Sequence, residues 1–302
     1  MEILDGKKFF EIFKNRASKV CIIFIILIIL FVIFWVRLVA PPSQKGPIIV
    51  HISSGDSLSR IAKVLKEENI VKSESFLQSV IASLDKDTNI AVGDYYFEKP
   101  INVYKVAYRL ANGDHNVESI KITFPEGLTN SQMADILVKK IPDFNKTEFI
   151  QKTKDLQGYL FPDTYFFFPL TTIDEIIKDM EENFKTRTKD LLKDRNNIEE
   201  IIIMASIVEL EAKDENDAPT IAGILWKRLN LGIPLQVDVY PSTYKKKGLP
   251  ESPIANPGLR AINATINKKE TPYLYYLHAK DGQIYLAKTY AEHRKNIAKY
   301  LK

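Results

Sequence analysis

The chain has 302 residues, 45% hydrophobic and 26% charged, which is ordinary globular composition and enough length for one large domain or a few small ones. Its formal charge of +4 is spread out, with no basic stripe interleaved with aromatic residues, so nucleic acid is excluded as the natural partner. A single cysteine, Cys21, excludes an intrachain disulfide framework and supplies no thiol nucleophile in a plausible site.

The first element sets the address. Val20 to Val36 carry no charge and no strongly polar group, and Leu38, Val39 and Ala40 extend the run while Arg37 snorkels, so residues 20–40 are expected to span a membrane as one helix. A cleaved signal peptide is the rival reading, but Ala40 is followed by Pro41 and Pro42 instead of a small-residue cleavage site. In residues 1–19, Lys7, Lys8, Lys14, Arg16 and Lys19 outnumber Glu2, Asp5 and Glu11. The positive-inside rule then makes this tail cytoplasmic, places the protein in the plasma (inner) membrane and puts everything beyond residue 40 on the outer, periplasmic side. Residues 41–48, rich in proline, read as a stiff linker that holds the folded part off the bilayer.

Next comes an internal repeat. The sixteen residues from Val50 to Leu65 match those from Ile122 to Leu137 without a gap. In each copy an alternating strand (Val50, Ile52; Ile122, Phe124) meets a turn at Gly55 or Gly127. Ser57 or Thr129 then caps a helix with an apolar face of Ile61, Ala62 and Leu65, or Met133, Ala134 and Leu137. Thr129 and Gln132 fit a capping box. The copies resemble lysin-motif modules, small βααβ domains that bind N-acetylglucosamine in cell-wall polymers. Gly93 to Phe97 reads as turn plus strand and Val103 to Leu110 as a helix stopped by Asn112-Gly113, giving one α+β unit over 49–118 and a second over 119–155.

The aromatic run from Tyr159 to Phe167 reads as core packing, with stacking on sugar faces as the functional alternative. Helices follow at Ile173 to Phe184, Ile198 to Ala212 and Ala218 to Leu229, then an irregular, turn-rich stretch from Leu235 to Gly258 whose length points to function. Tyr273 to His278 and Gln283 to Ala287 around Asp281-Gly282 read as a hairpin, and Tyr290 to Leu301 as a last helix.

The buried-looking helix ends in two acids. Glu211 lies one turn beyond Ile207 and Val208 and two beyond Met204, so it continues an apolar stripe, whereas Glu209 follows Ala205 and Ser206. A carboxyl against apolar surface is disfavoured as an anion and approaches the range of a general acid. The same pair also fits a solvated helix end, with Lys213 and Asp214 close by. The histidines His51, His115, His278 and His293 are isolated, and neither metal-ligand spacing, a nucleophile elbow nor a phosphate loop is present. No metal and no cofactor are expected. Glu209 and Glu211 do not form the carboxyl pair of a glycoside hydrolase, because residues two apart on a helix point to different sides.

Four motifs then converge: Ala205-Ser206-Ile207-Val208-Glu209-Leu210-Glu211; Leu235-Gln236-Val237-Asp238; Gly248-Leu249-Pro250 with Pro253-Ile254-Ala255-Asn256-Pro257-Gly258; and Thr271-Pro272-Tyr273-Leu274-Tyr275. With them the chain resembles the endolytic murein transglycosylases, the YceG-like family. The resemblance implies an α+β catalytic domain over 156–302 and a lyase that cuts MurNAc-GlcNAc bonds in nascent peptidoglycan glycan strands, leaves 1,6-anhydro-MurNAc ends and so sets strand length. It places the catalytic acid on Glu211, makes Glu209 a supporting residue, and carries Gln236, Asp238, Ser242, Tyr244 and Asn256 over as cleft residues. Peptidoglycan synthases are the partners it suggests. Two departures bear on the cleft rim: Asp238 is followed almost at once by Pro241-Ser242-Thr243-Tyr244, with Ser242 where the family has Asn, and Glu251-Ser252 stand where it has Pro-Gly. The rival functions are a hydrolytic muramidase using Asp238 as second carboxyl and a non-enzymatic wall-binding scaffold.

Overall fold

The computed structural model describes residues 6–43, 46–84, 90–214, 216–280 and 282–301, with side chains from residue 19 onward. Glu2, Asp5, Gln44, Lys45, Asp281 and Lys302 therefore lie outside the described residues, as do the side chains of Lys7, Lys8, Glu11, Lys14 and Arg16.

The fold is mixed α+β. Helix α1 (Gly6–Phe34) runs on through a wider, π-helical turn, Trp35–Val39, closed by the Ala40 N–H donating to the Trp35 carbonyl at 2.8 Å. Within it the 21 residues Lys19–Val39 are long and apolar enough to cross a membrane, and their surface is almost wholly open. This fits a single-pass anchor. Phe34 packs edge-on against Phe76 at 5.6 Å, and the Lys72 ammonium donates to the Val36 carbonyl at 2.6 Å, so the C-terminal end of the helix is held by the unit that follows it. A helix end leaves carbonyls without partners, and a cation there satisfies one of them, which proline content alone does not reveal.

The chain divides into two compact units, Met1–Glu118 and Ser119–Lys302. In the first, strand β1 (Ile48–Ile52) is followed by α2 (Leu58–Glu67), α3 (Glu74–Ala82), β2 (Gly93–Phe97) and α4 (Val103–Asn112). The Ser57 side chain caps α2 by accepting from the Arg60 N–H, and Gly113, at φ 65°, ends α4 in the left-handed region. β1 and β2 pair antiparallel, Val50 opposite Tyr95, and one core gathers Val50, Ile52, Leu65, Leu77, Phe97 and Leu110.

The second unit starts with the same order of elements. Strand β3 (Ile120–Thr123) leads to α5 (Asn130–Lys140), whose Thr129–Gln132 capping box forms as expected, then α6 (Lys146–Lys152) and β4 (Thr164–Phe167). β3 pairs antiparallel with β4, Ile122 opposite Tyr165. The partner strand of β3 comes from the aromatic run, beyond residue 155, a long-range choice that local pattern does not contain. Phe124, Met133, Phe149, Leu160 and Phe167 fill the core beneath.

The rest of this unit is helical at its centre. Helices α7 (Ile173–Leu192), α8 (Ile198–Glu211) and α9 (Asp217–Asn230) are followed by an irregular segment with a 3₁₀ turn at Pro241–Tyr244, then α10 (Leu259–Ile266). Every residue of α8 from Ile201 to Glu209 is buried, so that stretch has no solvent face and serves as the axis against which α9 and α10 pack. Strands β5 (Tyr275–His278) and β6 (Ile284–Ala287) form the hairpin, and α11 (Tyr290–Tyr300) covers it, with Tyr300 stacked on Tyr285 at 3.7 Å.

Candidate active site

The site is built where α8 stops. The C-terminal turn of that helix delivers Glu209 and Glu211 to two different environments. Glu209 is buried, and its carboxylate accepts from the Gly258 N–H at 2.9 Å and from Arg260 at 3.3 Å. Gly258 and Arg260 open α10, so an anion sits at a helix N-terminus and ties α8 to α10. A Cβ at 258 would stand 1.7 Å from the carboxyl of the exposed Glu126 side chain, which would have to swing aside to admit one. Glu209 is thus a structural clamp, in line with the supporting role expected of it.

Glu211 instead forms the wall of a cavity of about 660 Å³ that Arg228, Gln236, Asp238, Tyr244 and Tyr276 also line. Its Oε2 accepts from the Tyr276 hydroxyl at 2.8 Å, while Oε1 is buried with no hydrogen-bond partner. Burial raises the Glu211 pKa above the usual carboxylate range; the Tyr276 hydroxyl and the nearby Val239 amide oppose this, the Asp238 charge adds to it and His278 lowers it. Tyr276 itself, through burial and the Glu211 charge beside it, titrates well above the ordinary phenol range and stays a donor. The acid therefore has one fixed oxygen and one starved oxygen, which favours the protonated form.

The irregular segment supplies the rim. Gln236 adopts φ 52° and its side-chain oxygen accepts from Arg228, which also donates to the Pro234 carbonyl at 2.7 Å and lies over the Tyr275 ring at 5.2 Å. The Tyr244 hydroxyl donates to Asp238 at 2.5 Å, and this bond, with burial, pushes the Tyr244 pKa to about 12. The 3₁₀ turn is what brings Tyr244 back onto Asp238, so the short connection after Asp238 keeps Tyr244 on the wall of the cavity that Glu211 lines. Adjoining residues Leu210 and Val239 line a second hollow of about 350 Å³ together with Gln132, Gln157 and Tyr240.

Two of the expected cleft residues stand elsewhere. Ser242 lies on the 3₁₀ turn, and its carbonyl accepts from the Lys245 and Lys246 amides; it does not line the 660 Å³ cavity. Asn256 is 0% exposed. Its Oδ1 accepts from the Gly158 N–H at 2.8 Å and the Leu160 N–H at 3.2 Å, and its Nδ2 donates to the Leu128 carbonyl at 3.0 Å and Asn130 at 2.8 Å. Every polar atom of that side chain is used inside the protein, so Asn256 positions the segments around the site and leaves no group to offer a ligand. The short motif that contains it could not distinguish these roles.

The residues that sequence reasoning missed are Tyr276, Arg228 and the buried pair Asp217–His278, joined at 2.8 Å. A signal existed for Arg228: it lies at helical spacing from Ile221 and Leu225, a cation on the buried stripe of α9. Tyr276 carried no such mark among the neighbouring tyrosines.

The profile of the YceG-like family matches residues 50–241 and 241–299. The chain belongs to the YceG-like family. A protein from Bacillus subtilis (strain 168) named endolytic murein transglycosylase is 28% identical over 311 residues, covering 85% of this chain and 86% of that protein. One of the same name from Streptococcus pneumoniae (strain D39) is 25% identical over 327 residues, 86% of this chain but 59% of the streptococcal length. The crystal structure of a YceG-like protein from Listeria monocytogenes superposes with a TM-score of 0.52 at 26% identity, covering 83% of this chain and 99% of that one. Membership in the YceG-like family accounts for the four motifs together, since they meet at the end of α8 and along the segment facing it.

Proposed function

We propose that the protein is a membrane-anchored endolytic transglycosylase that cleaves MurNAc-GlcNAc bonds in nascent peptidoglycan strands, with Glu211 as its acid and base. The observation that carries this reading is the Glu211 carboxyl: partly desolvated, held at one oxygen by Tyr276, and facing a polar cavity. A protonated Glu211 gives its proton to the glycosidic oxygen as the C1–O bond breaks. The resulting carboxylate takes the proton from the C6 hydroxyl, whose oxygen bonds to C1, closing a 1,6-anhydro ring and restoring the acid. No water and no second carboxyl enter the balance. Gln236, Asp238 and Tyr244 are proposed as substrate contacts, and the adjoining 350 Å³ hollow gives an internal stretch of glycan room on both sides of Leu210 and Val239. Ser242 and Asn256 serve as supports of that rim.

The same reading takes residues 1–19 as a cytoplasmic tail, 20–40 as the span and the region beyond as external, so the enzyme meets polymer close to where peptidoglycan synthases release it. The two β-α-α-β repeats are proposed as lysin-motif-like wall-binding modules, and the remainder of the chain through residue 302 as the catalytic part. Asp238 in the same cavity favours one second reading, a hydrolytic muramidase with Asp238 activating water. Mass spectrometry of glycan digested by the purified full-length protein separates them. Anhydro ends, one water lighter than reducing ends, support the transglycosylase; reducing ends support the muramidase; binding without cleavage supports a scaffold.

A further inference from the structure

We infer that the face of the first unit formed by Phe76, Tyr104 and Tyr108 is seated in the headgroup layer of the bilayer, so that this unit rides on the membrane surface instead of hanging from a spacer. The inference rests on the reading of Lys19–Val39 as a span. A stretch of 21 residues is about 31 Å long at 1.5 Å per residue, which matches the roughly 30 Å hydrocarbon core and leaves nothing to spare. The span must therefore use its whole length, with Val39 near the boundary. Phe34 lies five residues before Val39, about 7 Å deeper along the axis. Yet Phe76 touches Phe34 at 5.6 Å, Tyr104 touches Phe76 at 6.0 Å, and Lys72 bonds the Val36 carbonyl. The start of α3 and the first turn of α4 are thus carried down to headgroup depth by the contacts that hold the helix end.

The chemistry of that face suits the depth. Tyr104 is 47% exposed and Tyr108, one turn further along α4, is 62% exposed, with Lys105 exposed between them and Trp35 exposed on the span. Rings with a polar tip beside a cation match the aromatic belt and phosphates of a membrane interface. Tyr104 and Tyr108 leave two large rings mostly open on one helix face, and the continuity of that face with the span through Phe76 names the bilayer as the surface that covers them.

The experiment uses the full chain in phosphatidylethanolamine/phosphatidylglycerol nanodiscs. In a Cys21→Ala background, spin labels are placed on Ile28→Cys, Tyr104→Cys or Tyr108→Cys, and their collision with oxygen and with a water-soluble nickel chelate is compared with that of free label in buffer. Each labelled protein is first required to melt like the parent. Labels at 104 and 108 are expected at headgroup depth, with nickel access several-fold below that of free label and oxygen access above it; the label at 28 is expected deep. Nickel access at 104 and 108 equal to that of free label, with 28 deep, overturns the seat and leaves the anchor standing. Shielding of 104 and 108 from both reagents means that protein covers the face and also overturns it. Nickel access at 28 overturns the span itself and the seat with it.

Discussion

The two sides of the last turn of α8 receive the same residue type and treat it in opposite ways. On one side Glu209 meets the Gly258 amide and the Arg260 guanidinium, so its charge is answered and its geometry fixed. On the other side Glu211 is desolvated, with Oε1 in buried space and Asp238 repelling its charge, and only the Tyr276 hydroxyl, the nearby Val239 amide and His278 work against this. Solvation of the anion is what differs. A carboxylate with strong donors is a structural tie, whereas one deprived of them is held toward its acid form and stores the cost of that position in the fold.

The comparison breaks most visibly at Glu211→Gln. Anhydro-ended products are expected to fall by about 10²–10⁴-fold, the usual worth of a positioned acid and base, measured by mass spectrometry of digested glycan. The sign of the stability change is also set. The folded-state pKa of Glu211 is raised, so its contribution is fully present below the unfolded pKa and lost as pH rises through the folded one. At alkaline pH the neutral isostere should therefore melt higher than the wild type, and the difference should shrink as pH falls. Glu209→Ala should do the reverse on stability, losing about 1–3 kcal/mol because the Gly258 and Arg260 donors are left unpaired; well below its melting point, its product should still carry anhydro ends.

Finer effects concern where the activity declines. Wild-type cleavage should fall as pH rises through the Glu211 pKa, because the acid form opens the reaction. Tyr276→Phe removes a donor that stabilises the anion, so this alkaline limb should move to higher pH, with a rate about tenfold lower from the loss of orientation. Asp238→Asn removes a repelling charge, and its limb should move the other way, to lower pH, by a smaller amount. Shifts of equal sign in the two variants would sink the electrostatic account of Glu211.

Much of the chain was readable locally. The Ser57 and Thr129 caps, the apolar faces they introduce, the apolar N-terminal stretch, the α8 stripe ending at Glu211 and the hairpin before α11 all follow from patterns within a few residues, because capping, helical period and strand alternation act at that range. Pairing of β3 with β4 was not readable, since Ile122 and Tyr165 are brought together by a core that two helices separate in sequence. The role of Asn256 was hidden for the same reason: its partners at Leu128, Asn130, Gly158 and Leu160 are assembled only by folding.

By itself, then, the sequence determined that this chain carries an apolar helix able to span a bilayer, two matching strand-turn-helix starts, and a buried helix that ends in two acids, because each is a property of side-chain order along the backbone. Tertiary structure alone decided which acid is answered and which is starved. That outcome depends on whether a distant amide, guanidinium or phenol arrives at the carboxyl, and those groups come from Gly258, Arg260 and Tyr276, all more than forty residues away along the chain.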